Sequence, residues 1–469
     1  MRRQHEPTNP ARIVIAGGGF AGVTAAHQLR QAARAGHVDV ALVSRENAFV
    51  FYPLMPEVIA GGLRVETILT SIRHVLPHAR LYVGELTGVD LERQTVTIQH
   101  GLYQHHQRPL ELPYDHLVLA LGGVPATYGI PGLDDYAFDV QRLSNAFALR
   151  NHLIDLLEQA DIESDPAEQR RLLTVVVIGG GPTGVEVAAE IRSLFTHALP
   201  YYRAIRPDSA RIVLVEALPR LLTGFPDAVA HRAARELRQR GIEVLLGRKV
   251  IQVEPAAVVL DDGMRLESRT IVSAIGVEPN PIVRSFGLPL DQRGRIVVDE
   301  YLRVTGHPNV WAIGDNAAVI DPATGRPYAP TAQHAVRQAK LLARNLVASL
   351  RGEPLQLMRY RTRGMMVTLG DHDAIVWLGR VTLTGFFAWW LWRTYALLQM
   401  PRWDRRIRLA MEWTLDLLFP PELVQLKVGQ PAPATRRLVE AALRRLREGP
   451  WPGETAPTVS TTASSARRS

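Results

Sequence analysis

The sequence contains no cysteine among its 469 residues. Disulfides, iron–sulfur clusters and cysteine-ligated zinc are therefore excluded, as is any reaction that passes electrons through a redox thiol. Lysine is almost absent, occurring at Lys249, Lys340 and Lys427 only, so arginine carries nearly all the positive charge. No run of about 18 uncharged apolar residues occurs, which argues against a membrane-spanning helix. The opening residues Met1-Arg2-Arg3-Gln4-His5 lead through a proline-containing stretch into a strand-like one, not into the apolar segment of a secretory signal. His100, His105 and His106 sit in a polar stretch without ligand spacing, so no metal site is expected. Nothing in the pattern calls for nucleic acid as a partner.

The composition, 46% apolar and 21% charged, is that of a globular protein long enough for two or three domains. The formal charge is +8, and it is localised. From Leu355 onward there are 17 Lys+Arg against 9 Asp+Glu, while the first 354 residues hold 37 of each sign.

Arg12 to Ala16 reads as a buried parallel strand, followed by Gly17-Gly-Gly-Phe20-Ala21-Gly22 and a helix to about Gln31. Val38 to Val43 is the next strand. About 160 residues later the pattern restarts. Thr174 to Ile178 is a strand, Gly179-Gly-Gly181-Pro182-Thr183-Gly184 opens a helix, and Arg211 to Glu216 is the next strand. A lone G-x-G-x-x-G is weak evidence, but each copy here directly follows a strand and opens a helix. The first glycine (Gly17, Gly179) permits the tight turn, and the second (Gly19, Gly181) lets the backbone approach a pyrophosphate. The third (Gly22, Gly184) lets helix pack on strand, and the helix N-terminus attracts phosphate. Two such cradles imply two dinucleotides. Glu216, ending the second strand of the later unit, suits ribose hydroxyls and repels a 2′-phosphate, favouring NAD over NADP. In the first unit this position is Ser44. Either Ser44 makes a weaker hydrogen bond or Glu46 replaces it.

With Val310-Trp-Ala-Ile-Gly314-Asp315 added, the chain resembles the two-dinucleotide-binding flavoproteins. That resemblance implies FAD in the first cradle, NAD in the second, and Asp315 on the ribityl or pyrophosphate region. Phe51-Tyr-Pro53-Leu54, Asp115 to Gly122, Ala329-Pro-Thr-Ala332-Gln333 and Leu383 to Arg393 are similar to type II, non-proton-pumping NADH:quinone oxidoreductases over about residues 11 to 420. The resemblance implies cofactor contacts at Phe20, Ala21, Arg45, Pro53, Ala120 and Gly122. It implies others at Pro182, Thr183, Gly276, Gly314, Ala332 and Gln333. It further implies that Glu186 orients the nicotinamide against the flavin, and that Gln333 with Arg337, one turn apart, receives the quinone. Three positions depart from the family pattern: Ser44 replaces an acid, Arg337 replaces a glutamine with Gln338 beside it, and Arg363-Gly-Met-Met366 replaces Lys-Gly-Ser-Met.

The fold expected is α/β, with two Rossmann-type domains, one inserted in the other, and a C-terminal helical module. Residues 1–160 and 277–350 would bind FAD, 161–276 NAD, and 351–430 a membrane surface, with a basic, disordered tail over 431–469. Residues 161–170, polar with a central proline, read as a linker. The C-terminal module gathers Trp389, Trp390, Trp392, Trp403 and Trp413, with Arg402, Arg405, Arg406 and Arg408 among them. Tryptophan favours the membrane–water boundary, and arginine favours anionic headgroups. The roughly 15 apolar residues from Phe386 to Met400 are too few to span, and suit a helix lying in the interface. The same surface would also serve a homodimer. The function implied is FAD-dependent transfer of two electrons from NADH to a membrane quinone, peripherally, at the cytoplasmic face of the cell membrane. The alternative is a soluble NAD(P)H-dependent reductase of a small electron carrier.

Overall fold

The computed structural model describes residues 10–100, 108–206, 208–360, 364–419 and 422–425. His105, His106, Arg363 and the expected tail fall outside these. Two parallel sheets organise the described residues. The first runs in the order Arg303–Val304, His307–Ala312, His116–Leu119, Ala11–Ala16, Val38–Ser44, Arg80–Val83. Only its outermost pair, Arg303–Val304 with His307–Ala312, is antiparallel. The second runs Phe138–Asp139, Thr270–Ser273, Thr174–Ile178, Arg211–Glu216, Ile242–Leu246, all parallel. Thr174–Ile178 is buried throughout and β-branched at every position, as a strand covered on both faces requires.

In each sheet the strand preceding the glycines lies between the next strand in sequence and a much later one. Ala16 pairs with Val43 and Leu119, and Ile178 pairs with Val215 and Ser273. Strand order reverses beside these two strands, which is where an open α/β sheet leaves a crevice at its carboxyl end.

Two features differ from expectation. Residues 161–170 are not an open linker, because Pro166–Leu172 is a helix. The Asp165 side chain accepts from Ala167 N at 2.9 Å and Pro166 sits at N1, so the central proline of the expected linker is a helix starter. The long helix Leu143–Ile162 precedes it, burying Ala146, Leu149, Leu153, Leu157 and Ala160 on one face. Strand Phe138–Asp139 joins the second sheet before residue 161, because the chain crosses between sheets ahead of that helix.

After helix Ala332–Arg351, a three-stranded antiparallel sheet (Met365–Thr368, Ala374–Leu378, Val381–Thr384) supports helix Phe386–Gln399, against which helix Trp403–Asp416 packs. No helix among the described residues is long and apolar enough to cross a membrane.

Candidate active site

The two cradles have closely similar local geometry. Gly17 and Gly179 take φ of +123° and +107°, and their N–H groups donate to Val43 O and Val215 O, each at 2.8 Å. A Cβ on either would stand 2.0 Å from Ala120 O or 2.5 Å from Ala274 O. A Cβ on Gly22 or Gly184 would lie 1.9 Å or 1.8 Å from the carbonyl oxygen of Gly17 or Gly179. By contrast, Gly19 and Gly181 have open space where a Cβ would stand. Each is the N-cap of its helix, and neither helix carries an acid in its first turn. The positive helix ends are therefore left for an anion, as a pyrophosphate requires.

Both cradles open into one cavity of about 2230 Å³. That is roughly twice the upper end of a single small-ligand site, about 1,000 Å³. Its wall includes every residue named above as a site candidate except Gly22 and Gly184. These two do not face the cavity, because their role is to let the helix close on the turn.

Glu216 is held ready for hydroxyl donors. Its carboxylate accepts from Gly180 N at 2.6 Å and Leu218 N at 2.8 Å, which leaves further lone pairs for a ribose. Ser44 is its positional counterpart: a Cβ on Gly18 would meet Ser44 Oγ at 2.1 Å, as one on Gly180 would meet Glu216 Oε2 at 2.9 Å. Ser44 Oγ accepts from Glu46 N at 3.4 Å, and the exposed Glu46 sits beside it on the cavity wall.

Asp315 follows the strand His307–Ala312 and lines the cavity, where burial raises its carboxyl to about 6. Two residues that the sequence reading missed fix this turn. Gln338 is buried and accepts from Gly314 N at 2.7 Å. It is thereby turned into the protein, leaving Arg337 as the member of that pair on the cavity. Asn316, fully buried, accepts from Gly122 N and donates to Leu119 O, both at 3.1 Å. Polar residues beside a reactive acid were the available signal, but their partners are about 20 to 200 residues away.

Glu186 sits in the second turn of helix Pro182–Ala198. It faces the cavity, accepts from Thr368 N at 3.2 Å, and is pushed by burial up to about 8. Tyr360, unmarked by any local pattern, also lines the cavity and donates to Gln333 Oε1 at 3.3 Å. The Arg337 guanidinium lies 4.1 Å from the Tyr360 ring centre. His334 is held at Nδ1 by Ala329 O, 2.8 Å away, and by Thr331 Oγ1, a loop-fixing role. The cavity continues past Arg337 to Trp392, Tyr395, Ala396 and Pro401 of the C-terminal module.

That module is pinned to the body by a buried cluster. Arg393 donates to Glu57 Oε2 at 3.3 Å and lies between the Trp389 and Trp413 rings, 4.0 and 4.7 Å from their centres. Trp413 Nε1 donates to the same oxygen at 2.9 Å.

Comparison with known proteins agrees with this geometry. Residues 11–339 match the family model described as pyridine nucleotide-disulphide oxidoreductase. The type II NADH:quinone oxidoreductase Ndh of Mycobacterium tuberculosis is 32% identical, over 89% of this chain and 91% of that protein. The type II NADH:quinone oxidoreductase of Staphylococcus haemolyticus is 28% identical, over 78% of this chain and 89% of that one. The fold is shared with NDH2 of Plasmodium falciparum, solved in complex with NADH. That structure aligns at a TM-score of 0.80 and 22% identity, covering 88% of this chain and 99% of that one. The chain belongs to the pyridine nucleotide-disulphide oxidoreductase family and, within it, to the type II NADH:quinone oxidoreductases.

Proposed function

We propose that this chain holds FAD in the first cradle, oxidises NADH held in the second, and passes two electrons to a membrane quinone without pumping protons. The observation that carries this reading is the single cavity. It joins both phosphate cradles to an apolar arm lined by Trp392, Tyr395 and Pro401, and no cysteine is available to carry electrons elsewhere. When bound, the flavin supplies a hydride acceptor for NADH and a two-electron donor for the quinone. The protein binds, orients and excludes water. The two glycine turns seat the pyrophosphates, while Asp315 and Glu216 accept from polyhydroxyl chains and Glu186 orients the nicotinamide. Gln333 and Arg337, steadied by Tyr360, donate to a quinone carbonyl from the opposite side. In this reading residues 1–160 with 277–350 serve FAD, apart from the strand Phe138–Asp139 in the second sheet, while 161–276 serve NAD and 351–430 serve the membrane.

Steady-state rates with NADH and NADPH, each with and without a quinone analogue, test this. NADH with quinone should give the fast rate. Replacing Glu216 by glutamine should narrow the gap between the nucleotides, because the carboxylate that repels a 2′-phosphate is gone. Equal use of NADPH by the wild type would contradict the ribose assignment, and turnover only with a protein carrier would favour a soluble reductase.

We also place the chain on a membrane surface, peripherally and at the cytoplasmic face. Trp403, Ile407, Met411 and Leu415 form a four-residue-spaced stripe, and each is exposed, as are Phe387 and Trp390 on the preceding helix. An uncovered apolar stripe of this kind suits an interfacial helix; a homodimer is the other occupant such a stripe would take. Of the four arginines, Arg402 is paired with Asp404 at 2.8 Å, while Arg405 and Arg406 donate to the carbonyls of Glu66 and Met400. Arg405, Arg406 and Arg408 thus keep net charge for anionic headgroups, each contributing about 1 kcal/mol near a charged surface. Replacing Phe387, Trp390 and Trp403 by serine leaves the buried cluster intact. It should cut partitioning to anionic vesicles about tenfold or more while sparing NADH-dependent reduction of a soluble dye. Unchanged partitioning would place the membrane contact elsewhere.

A further inference from the structure

The second cradle lies between two strands that divide a dinucleotide in half. On one side strand Arg211–Glu216 ends in Glu216, which in the functional reading accepts from the adenosine ribose. On the other side strand Thr270–Ser273 leads into Ala274, Ile275 and Gly276, and all three line the cavity. A nucleotide whose pyrophosphate sits on the helix N-terminus at Gly181 then carries its nicotinamide riboside toward Gly276.

Gly276 is held by a segment arriving from the first sheet. Strand Gly123–Pro125 pairs antiparallel with Val277–Pro279, and Ala126 donates its N–H to Gly276 O at 3.0 Å. Gln141 Nε2 donates to the same oxygen at 2.7 Å. The chain then turns over Thr127-Tyr128-Gly129-Ile130, closed by Ile130 N on Thr127 O at 3.0 Å. Beyond the turn Ile130 packs on the core of the second sheet, and Pro131 O accepts from Val253 N at 2.9 Å. Both ends of the turn are thus anchored to the nucleotide-binding sheet.

Its apex is an unfavourable place for an aromatic residue. Tyr128 and Gly129 have φ of +46° and +67°. Two successive positive values mark a type I′ turn, whose favoured sequence is Asn-Gly. A tyrosine there is held against its own backbone preference. Six non-glycine residues have positive φ among the described residues, and of these Tyr128 alone lines the cavity. Burial does not offset the strain, because the residue is 71% exposed. Neither the turn nor the packing accounts for a ring at this position. A flat ligand in the cavity would.

We propose that Tyr128 is an NADH-binding residue, its ring packing against the nicotinamide riboside of the nucleotide in the second cradle. The proposal rests on the NADH:quinone reading. An aromatic face suits a flat heterocycle and the sugar beside it. The anchored turn presents the ring already in place, so little freedom is lost on binding.

Strain and binding then respond in opposite directions to one substitution. Tyr128→Asn puts the favoured Asn-Gly pair in the turn, so the holoenzyme without nucleotide should unfold at the same temperature or a higher one. Calorimetric titration of that oxidised variant should show NAD⁺ binding weakened roughly tenfold, the scale of one lost aromatic stack. ADP, which lacks the nicotinamide riboside, should bind as it does to the wild type. Tyr128→Phe keeps the ring and should keep the NAD⁺ affinity. With a quinone analogue, Tyr128→Asn should raise KM for NADH and leave flavin reoxidation unchanged. Unaltered NAD⁺ affinity in Tyr128→Asn, an equal loss of ADP affinity, or a lowered unfolding temperature would each overturn the proposal. A wild type that binds no NAD⁺ would instead sink the functional reading on which the proposal stands.

Discussion

Replacing Arg393 by alanine should lower the local stability of the two C-terminal helices by about 3–5 kcal/mol, the usual cost of removing one partner from a buried ion pair. The residue is 9% exposed and joins three elements: Glu57 on helix Met55–Ala60, Trp389 beside it, and Trp413 on the last helix. Its removal leaves the Glu57 carboxylate buried with one indole donor, and it removes the cation stacked between two rings. Hydrogen exchange of helix Phe386–Gln399 should accelerate on the order of 100- to 3000-fold at the slow amides, since each 1.4 kcal/mol is a factor of ten. Glu57→Gln should cost less, because the amide oxygen can still accept from Trp413. Exchange unchanged within about threefold in Arg393→Ala would mean that the module is held by its apolar contacts alone.

Arg337→Ala and Gln333→Ala should separate the two halves of the reaction. If Glu186 orients the nicotinamide as proposed, flavin reduction by NADH should stay within a few-fold. Reoxidation by quinone should slow about 100- to 1000-fold, the cost of removing a donor to a developing oxyanion. Tyr360 refines this expectation. It bonds Gln333 and lies against Arg337, so Tyr360→Phe should weaken the Gln333 contact and slow the same step to a lesser degree. Stopped-flow traces of both half-reactions decide the matter. Slowed hydride transfer with normal reoxidation in Arg337→Ala would put that residue on the nicotinamide side.

The cradles were legible because their causes are local. Gly17 and Gly179 need positive φ, Gly22 and Gly184 need room beside their own turn, and the flanking strands are apolar runs of the right length. The positions of Glu216, which ends a strand, and of Asp315, which follows one by a short turn, were readable for the same reason. The aromatic helices were visible in composition, but composition could not say which face is buried. Trp389, Trp392, Arg393 and Trp413 turn inward, while Phe387, Trp390 and Trp403 remain outside. The Glu57–Arg393 pair spans 336 residues, and its one sequence trace was an acid stranded in the apolar run Phe51 to Ala60. Tyr360, Gln338 and Asn316 left less: their meaning is in long-range hydrogen bonds that no spacing rule encodes. The helix at Pro166 was misread because proline both breaks helices and begins them, and only the Asp165 cap distinguishes the two.

The central claim is that one chain carries electrons from NADH to quinone through bound FAD. The most direct measurement is an anaerobic titration of the purified, flavin-loaded protein. One equivalent of NADH should bleach the flavin absorbance, and one equivalent of a quinone analogue should then restore it. A flavin that NADH does not bleach, or that bleaches and is not restored by quinone, would contradict the account.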